Sequence, residues 1–328
     1  MINNNITLEK IADIIRQKNN ILIISHIRPD GDTLACAFAL KNTLKDMGKK
    51  VLCTSSDKVS NRLSFLCDGG LLLPNEVPSD FSQDLVLTVD VASKTMLGDC
   101  SKFIGTAETI KIDHHRPEDT FGADHYYTEE NSASCSEIIF DLINILTEKM
   151  SDRVCELLYA GISFDTGCFM HSNVTESTHL KAAYLVSRKV DTSPINQKLF
   201  GNKSQKEIEA LKLAYNSLEF YENGKIAVVC ITNEMRNERN LSEDDIADIS
   251  QIPIEIEGVL IGVTLKEKGD KPCNYKVSMR SRPGVNAGNA CVSLGGGGHL
   301  CAAGALVIAP TKEEAIQRVI NASIPELH

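Results

Sequence analysis

The chain has 328 residues, enough for two domains, and its 42% hydrophobic and 24% charged residues are the balance of a soluble globular protein, not of a disordered or fibrous one. A net charge of −10 excludes broad electrostatic capture of long nucleic acid, and no apolar run reaches the ~18 residues of a membrane span. The eleven cysteines are scattered without a C-x-x-C pair, and Met1 to Lys10 is polar and Asn-rich where a secretory leader would be apolar, so a reduced, cytoplasmic protein with buried thiols is expected.

Ile6, Leu8, Ile11, Ile14 and Ile15 have the spacing of an amphipathic helix. Ile21 to Ser25 is a strand-like run, followed by the loop Ser25-His-Ile-Arg-Pro-Asp-Gly-Asp32 and an Ala- and Leu-rich helical segment from Thr33 to Met47. Val51 to Thr54 reads as a second strand, Leu63 to Leu66 as a short helix, and Leu71 to Pro74 as a run into a loop. Leu85 to Val89 and Thr109 to Asp113 are further strands, the first ending in Asp90 and the second in Asp113, His114 and His115. Ser134-Cys-Ser-Glu137 has the form of a capping box before a long apolar helix reaching Met150, which makes Glu137 a cap. Helical patterns follow at Asp152 to Ser163 and Glu176 to Val190. This alternation predicts an α/β fold with a doubly wound parallel sheet over residues 1–190. Residues 191–222, mostly the charged stretch Ile195 to Phe220, read as a helical connector. Residues 223–328 read as a second, smaller α+β domain. Its strands are expected at Ile226 to Ile231, Val259 to Leu265, Asn274 to Arg280 and Ala302 to Ile308, with a turn at Lys268-Gly-Asp270. Its helices are expected at Ser242 to Ile249, Ala287 to Ser293 and from Lys312 onward.

Acidic and imidazole groups gather where the strands of the first domain end, the edge at which open α/β sheets bind ligands. They are His26, Asp30 and Asp32 after the first strand, Asp90 after the strand at residues 85–89, His114 after Asp113, and Asp165 in Phe164-Asp-Thr-Gly167. Singly, each reads as a capping or turn residue. Together they read as a metal site, because four carboxylates buried side by side without cations would cost several kcal/mol. Imidazole mixed with carboxylate suits Mn²⁺, with Zn²⁺, Co²⁺ or Fe²⁺ as alternatives, over an all-oxygen Ca²⁺ cage. Asp90 is placed to bridge two ions, and two ions ~4 Å apart can hold a bridging hydroxide for in-line attack on a phosphoryl group. Imidazoles bind metal only when neutral, so affinity is expected to fall below about pH 6.

The motifs S-H-I-R-P-D-G-D (25–32), V-D (89–90), I-D-H-H (112–115), F-D-T-G (164–167) and G-G-G-G-H (295–299) resemble those of the DHH phosphoesterase superfamily, over essentially the whole chain. The nearest likeness is the DHH/DHHA1 branch typified by the NrnA-type oligoribonuclease and pAp phosphatase. The resemblance implies one Mn²⁺ held by His26, Asp30 and Asp90, and another held by Asp32, Asp90, His114 and Asp165. It implies that Asp113 orients an imidazole and that His115 faces the scissile phosphate. Two departures weaken any transfer of substrate preference: Thr33-Leu-Ala-Cys36 replaces the family's A-x-G-S, and Met96 stands where an Arg is common.

In the second domain Gly297, Gly298 and His299 form an element able to approach an anion closely, and Arg280 resembles a phosphate-binding Arg; Arg282 alternates to the other strand face, toward solvent. Arg116 is a further candidate phosphate contact. His171 and His179 read as surface or core residues, Cys168 has no basic neighbour, and His125 and His328 carry no pattern. The expected activity is Mn²⁺-dependent hydrolysis of oligonucleotides of two to five nucleotides, and of 3′-phosphoadenosine 5′-phosphate, in a cleft between the domains. Alternatives are a cyclic-dinucleotide phosphodiesterase acting on c-di-AMP, an inorganic pyrophosphatase and a non-catalytic nucleotide sensor. The partners implied are short oligonucleotides or nucleotides, no long nucleic acid, no membrane, and, from the resemblance only, a second copy of the chain in a homodimer.

Overall fold

The computed structural model describes residues 5–116, 120–243, 245–269 and 271–327. The expectations at Met1 to Asn4, Asp244, Asp270 and His328 lie outside the described residues. The chain divides into two compact units, Met1–Asn202 and Lys203–His328, and the division falls inside the segment 191–222.

The first unit contains β1 (Asn20–Ile24), β2 (Lys50–Thr54), β3 (Leu71–Leu72), β4 (Leu85–Val89), β5 (Glu108–Asp113) and β6 (His125–Thr128). All six pair in parallel in the order β3–β2–β1–β4–β5–β6. Its helices are α1 (Leu8–Gln17), α2 (Gly31–Asp46), α3 (Cys135–Leu146), α4 (Asp152–Asp165), α5 (Glu176–Ser187) and the short α6 (Thr192–Asn196). One face of the sheet packs Ile21, Ile23, Leu85, Leu87, Ile110 and Ile112 against helices α1 to α4. The other packs Leu22, Ile24 and Val86 against Val91, Leu97 and Cys100, the last two from a 3₁₀ segment, Lys94–Phe103. Burial on both faces explains why β1 and β4 read as unbroken apolar runs. Strand order reverses between β1 and β4, so the crevice at their C-terminal ends is the switch point of the sheet.

Several expected elements differ. Strands β3 and β6 were not foreseen, and His125 lies in β6 with its Nε2 3.3 Å from a Glu108 carboxylate oxygen. Ser134 caps α3, but Glu137 does not reach back to it: its buried carboxylate accepts from Thr178 Oγ1 at 2.7 Å and lies 3.6 Å from Lys181 Nζ. The attraction of α5 thus wins over a capping box. The helix stops at Leu146, before Met150, where Thr147 turns extended. The stretch Ile195 to Phe220 is no continuous helix. It runs from α6 into a π-turn (Gln197–Gly201), extends at Asn202, and restarts under a capping box of Ser204 and Glu207.

The second unit contains α7 (Gln205–Asn216), β7 (Leu218–Tyr221), β8 (Ile226–Ile231), α8 (Asn233–Asn237), α9 (Ile252–Glu255), β9 (Ile261–Lys268) and β10 (Lys271–Ser281). It ends with α10 (Ala287–Ser293), β11 (Gly297–Gly298), β12 (Ala302–Ile308) and α11 (Lys312–Ser323). The strands form a mixed sheet, β11–β12–β10–β9–β8–β7, in which only β8 and β9 pair in parallel. One face packs against α10 and α11, and the other packs Val229 and Ile231 against α7. Where Ser242 to Ile249 predicts a helix, the described residues show a 3₁₀ turn at Ala247–Gln251. Among the described residues no helix is long and apolar enough to cross a membrane.

Candidate metal centre

Each expected ligand is positioned by the end of an element. β1 runs out at Ile24, and His26 follows in the loop into α2, with Ser55 Oγ donating to its carbonyl at 2.9 Å. Its Nδ1 lies 2.7 Å from Ile27 O, so that nitrogen carries the proton and Nε2 turns toward Asp30 and Asp90, 3.6 Å from each. Asp30 is the N-cap of α2 and accepts from Asp32 N and Thr33 N. Asp32, fully buried, accepts from the first two backbone N–H groups of α3, Cys135 at 2.6 Å and Ser136 at 3.0 Å. A helix N-terminus thus fixes this carboxylate in direction.

Asp90 ends β4 with a φ of 58°, a left-handed conformation uncommon outside glycine and frequent at functional sites. Its Oδ2 faces His26, and its Oδ1 lies 3.5 Å from His114 Nε2 and 3.4 Å from His115 Nδ1. His114 places Nδ1 3.2 Å from Ser132 O and Nε2 3.2 Å from Asp165 Oδ2, at the end of α4. Asn173 donates to Asp165 O at 3.2 Å and Ala133 O at 2.9 Å. Asp113 accepts from His115 Nδ1 at 2.9 Å and from the His115 backbone N–H at 3.1 Å.

Three groups of side chains come close enough to share a cation: His26 with Asp30 and Asp90; Asp32 with His114 and Asp165; and Asp90 with His114 and His115. The donor set fits a divalent ion on a structural ground. Asp90 Oδ1 and His114 Nε2 are buried without a hydrogen-bond partner, a costly state that coordination would relieve. The electrostatics agree. Burial works against charge on His26 and His114, yet the carboxylates of Asp30, Asp90 and Asp165 close beside them outweigh it and raise the rings to about 10 and about 9. Asp113 and Asp90 raise His115 to about 11. Burial, joined by Asp165 and Asp90, holds Asp32 well above the carboxylate range, and burial lifts Asp165 to about 6. Asp90, although buried, is pulled below that range by His115 and His26.

The remaining candidates lie elsewhere. Arg116 is exposed just after His115. In the second unit Arg280 ends β10, half-buried, and its Nη1 donates to Met279 O at 3.0 Å. Gly297 and Gly298 form β11, and exposed His299 opens the turn into β12. Arg282 is exposed, as its place on the other strand face predicts, and its Nη2 donates to Ile254 O at 2.9 Å. His171 places Nδ1 3.3 Å from Asp165 O, His179 stacks on Phe169, and Cys168 is half-buried. Sequence reasoning missed Ser55, Asn173 and the α3 N–H groups, because a residue that acts by holding a ligand leaves no motif.

Fold and site define a class: an α/β protein with a carboxylate–imidazole cluster at the switch point of a parallel sheet. The chain belongs to the DHH family, matching its N-terminal domain over residues 20–162 and the DHHA1 domain over residues 223–326. It is 28% identical to the bifunctional oligoribonuclease and PAP phosphatase NrnA of Bacillus subtilis, with 88% of this chain and 90% of that protein covered. It is 25% identical to the cyclic-di-AMP phosphodiesterase GdpP of Geobacillus thermodenitrificans, covering 95% of this chain but only 48% of that protein. The crystal structure of an exopolyphosphatase-related protein from Bacteroides fragilis superimposes with a TM-score of 0.88, at 22% identity, over 97% of this chain and 95% of that one.

Proposed function

We propose that this chain is a divalent-metal-dependent phosphoester hydrolase acting on very short oligonucleotides and on 3′-phosphoadenosine 5′-phosphate, with Mn²⁺ as the metal. The observation that carries the reading is the convergence of four aspartates and two histidines at the switch point, with Asp90 Oδ1 and His114 Nε2 buried and unsatisfied. Similarity to an oligoribonuclease and PAP phosphatase over nearly its whole length supports the substrate class. His26, Asp30 and Asp90 would hold one ion, and Asp32, Asp90, His114 and Asp165 the other. Bound there, divalent ions supply positive charge to phosphoryl oxygens and make water acidic enough to attack near neutral pH.

The chain's own groups do the rest. Asp113 takes up the Nδ1 side of His115, which leaves Nε2 as the free nitrogen of a ring 47% exposed, suited to donate to a phosphoryl oxygen as charge develops. In the second unit Gly297 supports an anion site. Of the four glycines at 295–298, it alone combines an ordinary φ with open space where a Cβ would sit, so the fold itself does not require glycine there. A ligand that needs the backbone bare would require it. Arg280 and His299 would hold a substrate phosphate as donors.

The test is hydrolysis with Mn²⁺ of four substrates: the dinucleotide pApA, 3′-phosphoadenosine 5′-phosphate, cyclic di-AMP and pyrophosphate. Turnover of the first two ahead of the others is expected. Turnover confined to cyclic di-AMP or to pyrophosphate would replace this reading.

A further inference from the structure

Lys111 has no part in the metal cluster, yet it is among the most buried large side chains of the protein, at 1% exposure. Lysine is almost never so buried unless paired. It stands two residues before Asp113 on β5, and the period of a strand puts both side chains on one face. Its Nζ donates to Ala92 O at 2.8 Å, lies 3.4 Å from Asp113 Oδ2, and sits over the Phe121 ring, 5.2 Å from its centroid. Ala92 is two residues beyond Asp90, so one ammonium ties the segment leaving β4 to the end of β5.

The contacts continue outward from Lys111. Asp113 is fully buried, and its other oxygen accepts from both the backbone N–H and Nδ1 of His115. A carboxylate can swing about its Cβ–Cγ bond. Oδ1 is held by His115, and Oδ2 faces the ammonium across 3.4 Å as a charge pair with no hydrogen bond of its own, so the charge sets which oxygen turns inward and the imidazole that leans on the carboxylate inherits that orientation. An apolar residue would fill the same space at no desolvation cost if the need were packing alone.

We propose that Lys111 is a positioning residue: through Asp113 it fixes the direction in which His115 presents Nε2. The inference rests on the hydrolase reading above. Ala92 O, Asp113 and the Phe121 ring, the partners that tie Lys111 in place, are not groups proposed to hold metal, so its removal is expected to act on turnover and not on binding.

The experiment uses the full-length protein at saturating Mn²⁺ with pApA as substrate. Lys111→Met keeps the aliphatic stem and removes the charge; kcat is expected to fall about ten- to a hundredfold, the usual cost of losing such a supporting contact. KM and the Kd for Mn²⁺ are expected to stay within about threefold. In a His115→Ala background the same substitution is expected to cost no more than about a further twofold, because the group it positions is gone. An equal loss in both backgrounds, or a parallel loss of Mn²⁺ affinity, would overturn the proposal in favour of a general structural role. Should Lys111→Met not fold, Lys111→Gln, which keeps a donor for Ala92 O, goes through the same cycle with the same criterion. A wild-type protein inactive on every substrate would sink the hydrolase reading and this inference with it. An active wild type with additive losses would sink this inference alone.

Discussion

Asp90 faces His26 with Oδ2 and both His114 and His115 with Oδ1, which makes it the side chain whose charge both halves of the cluster share. Asp90→Asn keeps the shape and removes the charge, so kcat is expected to fall by about three orders of magnitude with the circular dichroism spectrum unchanged; near-normal turnover at saturating Mn²⁺ would refute a shared ligand. The histidines bear on how pH acts on this cluster. An ordinary imidazole would compete with metal only below about pH 6, but in its acidic surroundings His26 stands at about 10 and His114 at about 9. Both rings therefore hold protons at pH 7.5, and a cation bound at the proposed site would have to displace them. Calorimetry at that pH, in buffers of different ionisation enthalpy, is expected to show release of about two protons per protein. Stability of the metal-free protein follows the same sign. A raised imidazole pKa favours the folded state fully below the unfolded value of 6.5 and ceases to do so as pH passes 9 to 10. The metal-free Tm should fall between pH 6.5 and pH 10; Asp165, raised only to about 6, has little further effect across that window.

At the scale of elements, the centre depends on how closely α4 approaches α2 and the start of α3. Gly161 allows that approach: a Cβ there would lie 1.9 Å from Ser136 Oγ, 2.8 Å from Asp32 Oδ1 and 2.9 Å from the Ala35 Cβ. Gly161→Ala is expected to cost about 1–3 kcal/mol of stability. Because the strain falls on Asp32, Mn²⁺ affinity should weaken in the variant, and an unchanged melting curve would contradict the packing. What is legible in the sequence follows from burial. Strands β1 and β4 announce themselves because both faces are covered, which forces an apolar run, and β5 by its alternating isoleucines; each ends beside an acid or imidazole. β3 is two half-buried residues and β6 reads His-Tyr-Tyr-Thr, so neither carries a run to find. Glu137 fits the local pattern of a cap and is taken by a long-range partner instead, and Lys111 looks like an interruption of β5 until its burial is seen.

At the scale of the molecule, the two units carry separate hydrophobic cores, and the groups proposed for metal and for phosphate lie in different units. The two tasks should then separate by mutation. Arg280→Ala and His299→Ala are expected to lower kcat/KM for pApA by about ten- to a hundredfold, the loss of one charge-assisted or polar contact. Hydrolysis of bis-p-nitrophenyl phosphate, which has no second phosphate to hold, is expected to change little. Equal losses on both substrates would remove these residues from substrate binding.

The proposed ligands span residue 26 to residue 165 and come from the ends of β1, β4, β5 and α4. No short piece of nascent chain contains a whole set, so a cation finds no complete nest until the strands have paired and α4 has docked. A metal bound there is then expected to act late, as a latch on the finished structure and not as an early template. In stopped-flow experiments Mn²⁺ should slow unfolding and leave the refolding rate as it is without metal, the behaviour of contacts absent from the folding transition state.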